Sequence, residues 1–71
     1  MKYRDLARKL SCLGCLEIPR KSKGSHRKWH NPVAGRATVA PDWGGKDLKI
    51  GTVRAVVRQL GIDWDLFQGT K

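Results

Sequence analysis

Apolar side chains recur with helical spacing in two stretches of the chain. In the first stretch they are Tyr3, Leu6, Ala7, Leu10 and Leu13. In the second they are Ile50, Val53, Val56, Val57 and Leu60. Intervals of three and four residues place each set on one face of a helix. We therefore predict one helix that ends at Gly14 and another that runs from about Lys49 to Leu60.

The middle of the chain has the alternation and the turn residues of short strands. Leu16 and Ile18 alternate with their neighbours, and Pro19 places this first strand at a sheet edge because proline donates no ladder hydrogen bond. Turn-forming residues follow at 22–25 and again at 31–35.

The turns delimit a second and a third strand. The second runs from His26 to His30, and the third from Arg36 to Ala40. Alternation along the third strand puts Ala37 and Val39 on one side and Thr38 and Ala40 on the other.

The last residues predict a short final turn. Gly61 ends the second helix, and Asp63 is placed to cap the turn that follows. This turn would carry three apolar residues onto the core: Trp64, Leu66 and Phe67. The tail at 69–71 is expected to fray.

The order of elements predicts an α+β fold, α-β-β-β-α, with a three-stranded antiparallel sheet and both helices on one face. With 71 residues the chain has room for a single domain, 1–71. A chain of this size buries only about 60% of its unfolded surface, which excludes multidomain enzymes and large scaffolds.

Charge narrows the choice of partner. Fifteen Lys and Arg against six Asp and Glu give a net charge of +9, which favours a polyanion such as nucleic acid, an anionic membrane or an acidic protein. From Ile18 to Arg36 there is no acidic residue. The cations there do not line one face of an amphipathic helix, so a membrane is disfavoured. The absence of a signal peptide or spanning segment predicts a cytoplasmic protein.

Two cysteines and two histidines raise the possibility of a zinc site. Cys12-x-x-Cys15 and His26-x-x-x-His30 resemble a Cys2His2 finger, but histidines four apart on a strand lie about 13 Å from each other. We expect no metal and no cofactor, with Cys12 and Cys15 serving as small reduced residues near a helix end.

His26 is the strongest candidate for chemistry. It follows a tight turn, lies among cations, and carries the side chain best suited to moving protons near neutral pH. RNA needs no metal for cleavage, because its own 2′-hydroxyl can attack the adjacent phosphate. His30 shares the alternation of His26 and is an auxiliary group or, more simply, a surface residue.

The tryptophans and the arginines of the second helix each have two interpretations. Trp29 has the opposite parity to His26, which favours core packing, whereas Trp43 in a loop could pack or stack on a base. Arg54 and Arg58 would contact phosphate if their face adjoins the basic patch; otherwise they are ordinary solvated residues.

Several motifs together resemble the HicA-type (YcfA-like) toxins of bacterial type II toxin–antitoxin systems. In chain order they are Lys2-Tyr3-Arg4-Asp5-Leu6, Leu13-Gly14, Lys23-Gly24-Ser25-His26, Thr38-Val39 with Pro41, Gly44-Gly45-Lys46-Asp47-Leu48-Lys49, Gly51-Thr52-Val53-Arg54, and Val57-Arg58-Gln59-Leu60-Gly61. The resemblance covers about residues 2–62.

The resemblance implies a fold related to the double-stranded-RNA-binding domain and an mRNA interferase that cuts RNA without a metal. It implies a HicB-type antitoxin that covers the active site and contacts DNA as part of the complex. The family's catalytic histidine falls on His26, and Gly24 and Ser25 match the positions that shape its turn. Where many members carry a second histidine, this chain has Trp43.

We therefore expect an endoribonuclease toxin with His26 as general acid or base. Lys23 and Arg27 would help to stabilise the phosphate. The expected contacts to the RNA backbone are Arg20, Lys21, Lys28, Lys46, Arg54 and Arg58. Two other functions stay open: a non-catalytic RNA-binding module of the same fold, and a partner of an acidic protein with no role in nucleic-acid binding.

Overall fold

The computed structural model describes residues 1–19 and 24–71. Its elements are helix α1 (Tyr3–Cys12), strands β1 (Leu16–Ile18), β2 (His26–Asn31) and β3 (Arg36–Pro41), and helices α2 (Ile50–Gln59) and α3 (Trp64–Gly69). The predicted α+β order is confirmed, and the final turn is a short third helix. No helix within the described ranges is both long and apolar enough to cross a membrane.

The three strands form one antiparallel sheet in the order β1-β2-β3. The predicted edge position of β1 is confirmed, and β2 is bonded on both sides. Lys28 in the middle of β2 pairs with Ile18 on one side and Val39 on the other.

Alternation gives the sheet a buried side and an open side. Trp29, Thr38 and Ala40 are buried against the helices, so the predicted core role of Trp29 is confirmed. The core under the sheet also contains Leu6, Leu10, Val53, Val56, Val57, Leu60 and Phe67. Both helical stripes predicted from spacing supply this core, although Ile50 is 65% exposed.

The last helix differs from its prediction at one residue. Asp63 does cap it, because its side chain accepts a hydrogen bond from the backbone N–H of Leu66 at 3.1 Å. Trp64 and Phe67, three residues apart, stack at 5.5 Å on the core side. Leu66 was expected in the core but is 57% exposed, since it lies off the face that Trp64 and Phe67 share.

Tyr3 connects α1 to the sheet through a buried hydroxyl. This hydroxyl donates to Glu17 Oε1 on β1 and accepts a hydrogen bond from Trp29 Nε1 on β2 at 3.0 Å. Burial of the ring and the hydrogen bond to Glu17 raise the pKa of Tyr3 well above its ordinary value of 10.0. One side chain thus holds a helix and two strands in register.

Replacing Tyr3 with Phe removes this connection, and we expect a loss of about 1–3 kcal/mol in the free energy of unfolding because the buried indole N–H of Trp29 loses its partner. Urea unfolding at neutral pH measures the loss. The matched control, Thr70→Val, removes an exposed hydroxyl and should change stability by less than about 0.5 kcal/mol.

The same comparison has a defined pH dependence. A tyrosine whose folded-state pKa is raised contributes stability that is fully present below pH 10 and is lost as the pH rises through the folded-state value. The difference between wild type and Tyr3→Phe should therefore shrink above pH 10. A difference that stays constant from pH 8 to pH 12 would contradict this assignment.

Candidate functional site

The side of the sheet turned away from the helices carries the candidate chemistry. We call it the open sheet face, and it comprises Leu16, Ile18, His26, Lys28, His30, Ala37 and Val39. All of these residues are exposed except His30, which is half-buried. A sheet with one solvated face normally carries polar side chains there, so the exposed Leu16, Ile18 and Val39 are notable.

His26 is the first residue of β2, exposed, and paired with Pro41 at the end of β3. Lys28 lies two residues along on the same face, about 7 Å away along the strand. Lys28 has no ion pair among the residues that the structure describes. An exposed imidazole therefore lies beside an uncompensated ammonium group.

His30 continues the same row but lies about 13 Å from His26 along the strand. Among residues 1–19 and 24–71, no three His, Cys, Asp or Glu side chains are grouped to hold a metal ion. Cys12 is exposed and Cys15 is buried, both as free thiols, and burial raises the pKa of Cys15. A buried thiol with a raised pKa is a poor nucleophile at neutral pH.

The turn before His26 is only partly described. Gly24 and Ser25 are exposed, and the carbonyl of Ser25 accepts a hydrogen bond from the backbone N–H of Asp42. The predicted site residues Arg20, Lys21 and Lys23 lie outside the described residues, so their roles remain predictions.

Arg27 points to the helix side of the sheet, opposite to His26. Its guanidinium forms ion pairs with Glu17 at 3.1 Å and Asp42 at 3.0 Å, and it lies 5.8 Å from the centre of the Tyr3 ring. Burial by itself lowers the pKa of Arg27, but the two carboxylates outweigh it and raise the pKa above its ordinary value. The structure therefore does not bring the Arg27 side chain to the open sheet face.

The loop after β3 begins at Asp42, a residue that the sequence did not single out. Asp42 Oδ1 accepts a hydrogen bond from the backbone N–H of Gly44 at 3.0 Å, and Gly44 has a φ of 63°. The pattern Asp-x-Gly after a strand is a signal for such a turn and could have identified it. The loop carries Trp43, 42% exposed, and the exposed Lys46.

The arginines of α2 belong to another surface. The guanidinium of Arg54 lies 4.8 Å from the centre of the Trp64 ring on α3, and Arg58 lines the same depression between α2 and α3. Helix α2 packs on the inner side of the sheet through Val53, Val56 and Val57. Arg54 and Arg58 thus lie on the helix layer, with the sheet between them and His26.

The geometry supports proton transfer beside an anion. The imidazole of His26 is open to solvent at the start of a strand, and Lys28 supplies positive charge on the same face. A neighbouring cation stabilises negative charge that develops on a phosphate, while the imidazole gives or accepts a proton. Both groups act on one substrate only if it lies across the open sheet face.

Comparisons with known proteins point to one family. A family model described as the "HicA toxin of bacterial toxin-antitoxin" matches residues 3–62. The chain is also similar to a "Probable mRNA interferase HicA" of Pseudomonas fluorescens (strain Pf0-1), with 39% identity over 62 residues, which cover 87% of this chain and 97% of that protein. No solved structure matches significantly. The chain, with its helix–sheet–helix order and its Gly-Ser-His turn, therefore belongs to the HicA toxin family.

Proposed function

We propose that this chain is the toxin of a toxin–antitoxin pair and that it acts as an endoribonuclease, with mRNA as its substrate. The proposal depends above all on the placement of His26 beside Lys28 on one solvent-exposed sheet face. The match to the HicA toxin family over residues 3–62 and the similarity to a protein named as an mRNA interferase support it.

The reaction that suits this site is transesterification of the RNA backbone. The 2′-hydroxyl loses its proton, its oxygen bonds to the adjacent phosphorus, and the bond from phosphorus to the 5′-oxygen breaks. The departing 5′-oxygen takes up a proton, which leaves a 2′,3′-cyclic phosphate. His26 carries out one of the two proton transfers, and the charge of Lys28 stabilises the phosphorane.

RNA binding then involves the cations near the open sheet face. Lys28 lies on this face. Lys46 lies on the loop that begins at Asp42, and the backbone N–H of Asp42 donates a hydrogen bond to Ser25 in the turn before His26. Arg20, Lys21 and Lys23 belong to the segment that leads into the same turn. Gly24 and Ser25 shape that turn, as in the family motif.

A HicB-type antitoxin would neutralise the toxin by covering the open sheet face. The net charge of +9 favours an acidic partner, and the exposed Leu16, Ile18 and Val39 on this face offer apolar contact that an RNA backbone would not use. Contact with DNA would be indirect, through the complex with the antitoxin. Because the proposed substrate is mRNA, the proposed site of action is the cytoplasm.

Cleavage should depend on His26 and not on a metal. In EDTA, we expect His26→Ala to cut RNA at least about 100-fold more slowly than wild type, because loss of a general acid or base costs that much or more. The measurement is product formation from a labelled RNA. His30→Ala, a change of the same type on the same strand and face, is the matched control and should retain most of the activity.

Three results would contradict this proposal. If His26→Ala cut RNA at the wild-type rate in EDTA, the histidine would have no part in the chemistry. If wild type retained RNA on a filter in a salt-dependent way and gave no product, the chain would be a non-catalytic RNA-binding module. If it neither bound nor cut RNA, a protein partner alone would account for its charge.

The salt dependence of binding distinguishes RNA contact at the open sheet face from RNA contact at the helix layer. We expect Lys28→Ala to weaken RNA binding and to reduce the slope of log K against log salt by about 1, as for one lost phosphate contact. Arg58→Ala removes one charge from the helix layer and should change the slope less. Filter binding between 50 and 200 mM salt measures both. An equal change for Arg58→Ala would show that RNA also contacts α2.

A further inference from the structure

Strands β2 and β3 pair as far as His26, which lies opposite Pro41. In the same register Asp42 lies opposite Ser25, and its backbone N–H donates to the Ser25 carbonyl. The backbone of Asp42 therefore fixes the residue immediately before His26.

The side chain of Asp42 fixes the residue immediately after it. Asp42 Oδ2 accepts a hydrogen bond from Arg27 Nε at 3.2 Å and forms an ion pair with Arg27 Nη2 at 3.0 Å. The other oxygen, Oδ1, accepts from the backbone N–H of Gly44 at 3.0 Å. One residue thus holds both neighbours of His26 and the loop that carries Trp43 and Lys46.

The charge of Arg27 is already paired within the protein. Its Nε and Nη2 contact Asp42 Oδ2, and its Nη1 donates to Glu17 Oε2 at 3.1 Å. Two carboxylates balance its single charge, and its side chain is only 26% exposed, on the side of the sheet away from His26. To bind the substrate it would have to give up both ion pairs and cross to the other face of its strand.

We propose that Asp42 and Arg27 are a pair of positioning residues, which set His26 against the loop 42–46 and do not contact the RNA. This inference rests on the proposed function, because it concerns the geometry of the same site. Its physical basis is that a shift of about 1 Å in a catalytic group can reduce a rate about 100-fold without weakening substrate binding.

Steady-state cleavage of a short RNA separates positioning from binding. We expect Asp42→Asn to reduce kcat by roughly 10- to 100-fold and to change KM by less than about 2-fold. Arg27→Lys should behave in the same way, because lysine keeps the charge but lacks the planar guanidinium that contacts Asp42 through two nitrogens. Asp65→Asn, a change of the same type at an exposed position on α3, is the control and should match wild type.

The double variant tests whether the two residues act through each other. If they form one unit, Asp42→Asn combined with Arg27→Lys should be no slower than the slower single variant, since the second change removes a contact already lost. If the two residues acted independently, their reductions in kcat would multiply in the double variant, and that result would overturn the pairing. Thermal unfolding of each variant identifies any loss of rate that comes from unfolding.

A readout without substrate completes the test. The imidazole ¹H and ¹³C resonances of His26 should shift in Asp42→Asn and in Arg27→Lys, and stay unchanged in Asp65→Asn. Unchanged resonances with wild-type kcat in both variants would overturn the proposal, as would a raised KM with normal kcat for Arg27→Lys, which indicates a phosphate contact. If His26→Ala is as active as wild type, the proposed function fails instead, and the His26 resonances alone then decide whether the pair positions that ring.

Discussion

Strand β2 is hydrogen-bonded to a neighbouring strand on each side. The alternation of its six side chains decides which of them face solvent and which face the helices. Even-numbered residues face solvent as far as His30, and odd-numbered residues face the helices. His26 and Lys28 are thus separated by one peptide layer from Arg27 and Trp29. The buried hydroxyl of Tyr3 keeps this register by joining Trp29 to Glu17.

Alternation and helical spacing can be recognised in the sequence, and they predict most of the fold. They place Trp29 in the core, β1 at the sheet edge and the ends of α1 and α2 within about two residues. The prediction that Leu66 packs in the core was wrong, because a helix this short has no periodicity that would indicate which face is buried. Its neighbours Trp64 and Phe67 occupy the core side together.

The candidate site was less predictable, because its contacts join residues far apart in the chain. The histidine and the turn before it form a local motif, so the sequence alone was enough to select them as candidates. The partners of Arg27 lie ten and fifteen residues away, so nothing near Arg27 indicates that its charge is already balanced. Likewise, the position of Arg54 depends on its contact with Trp64, which only the packing of α2 against α3 creates.

The two faces of β2 respond differently to substitutions and to changes in the length of the strand. Replacing His26 or Lys28 changes the chemistry of the open sheet face and leaves the core untouched, since both side chains are exposed. Inserting or deleting one residue between His26 and Trp29 would turn an imidazole inward or an indole outward, because the side-chain period is two. Descendants of this protein can therefore change the open sheet face through single substitutions at little cost in stability, whereas a change in the length of this strand disrupts the core and this face together.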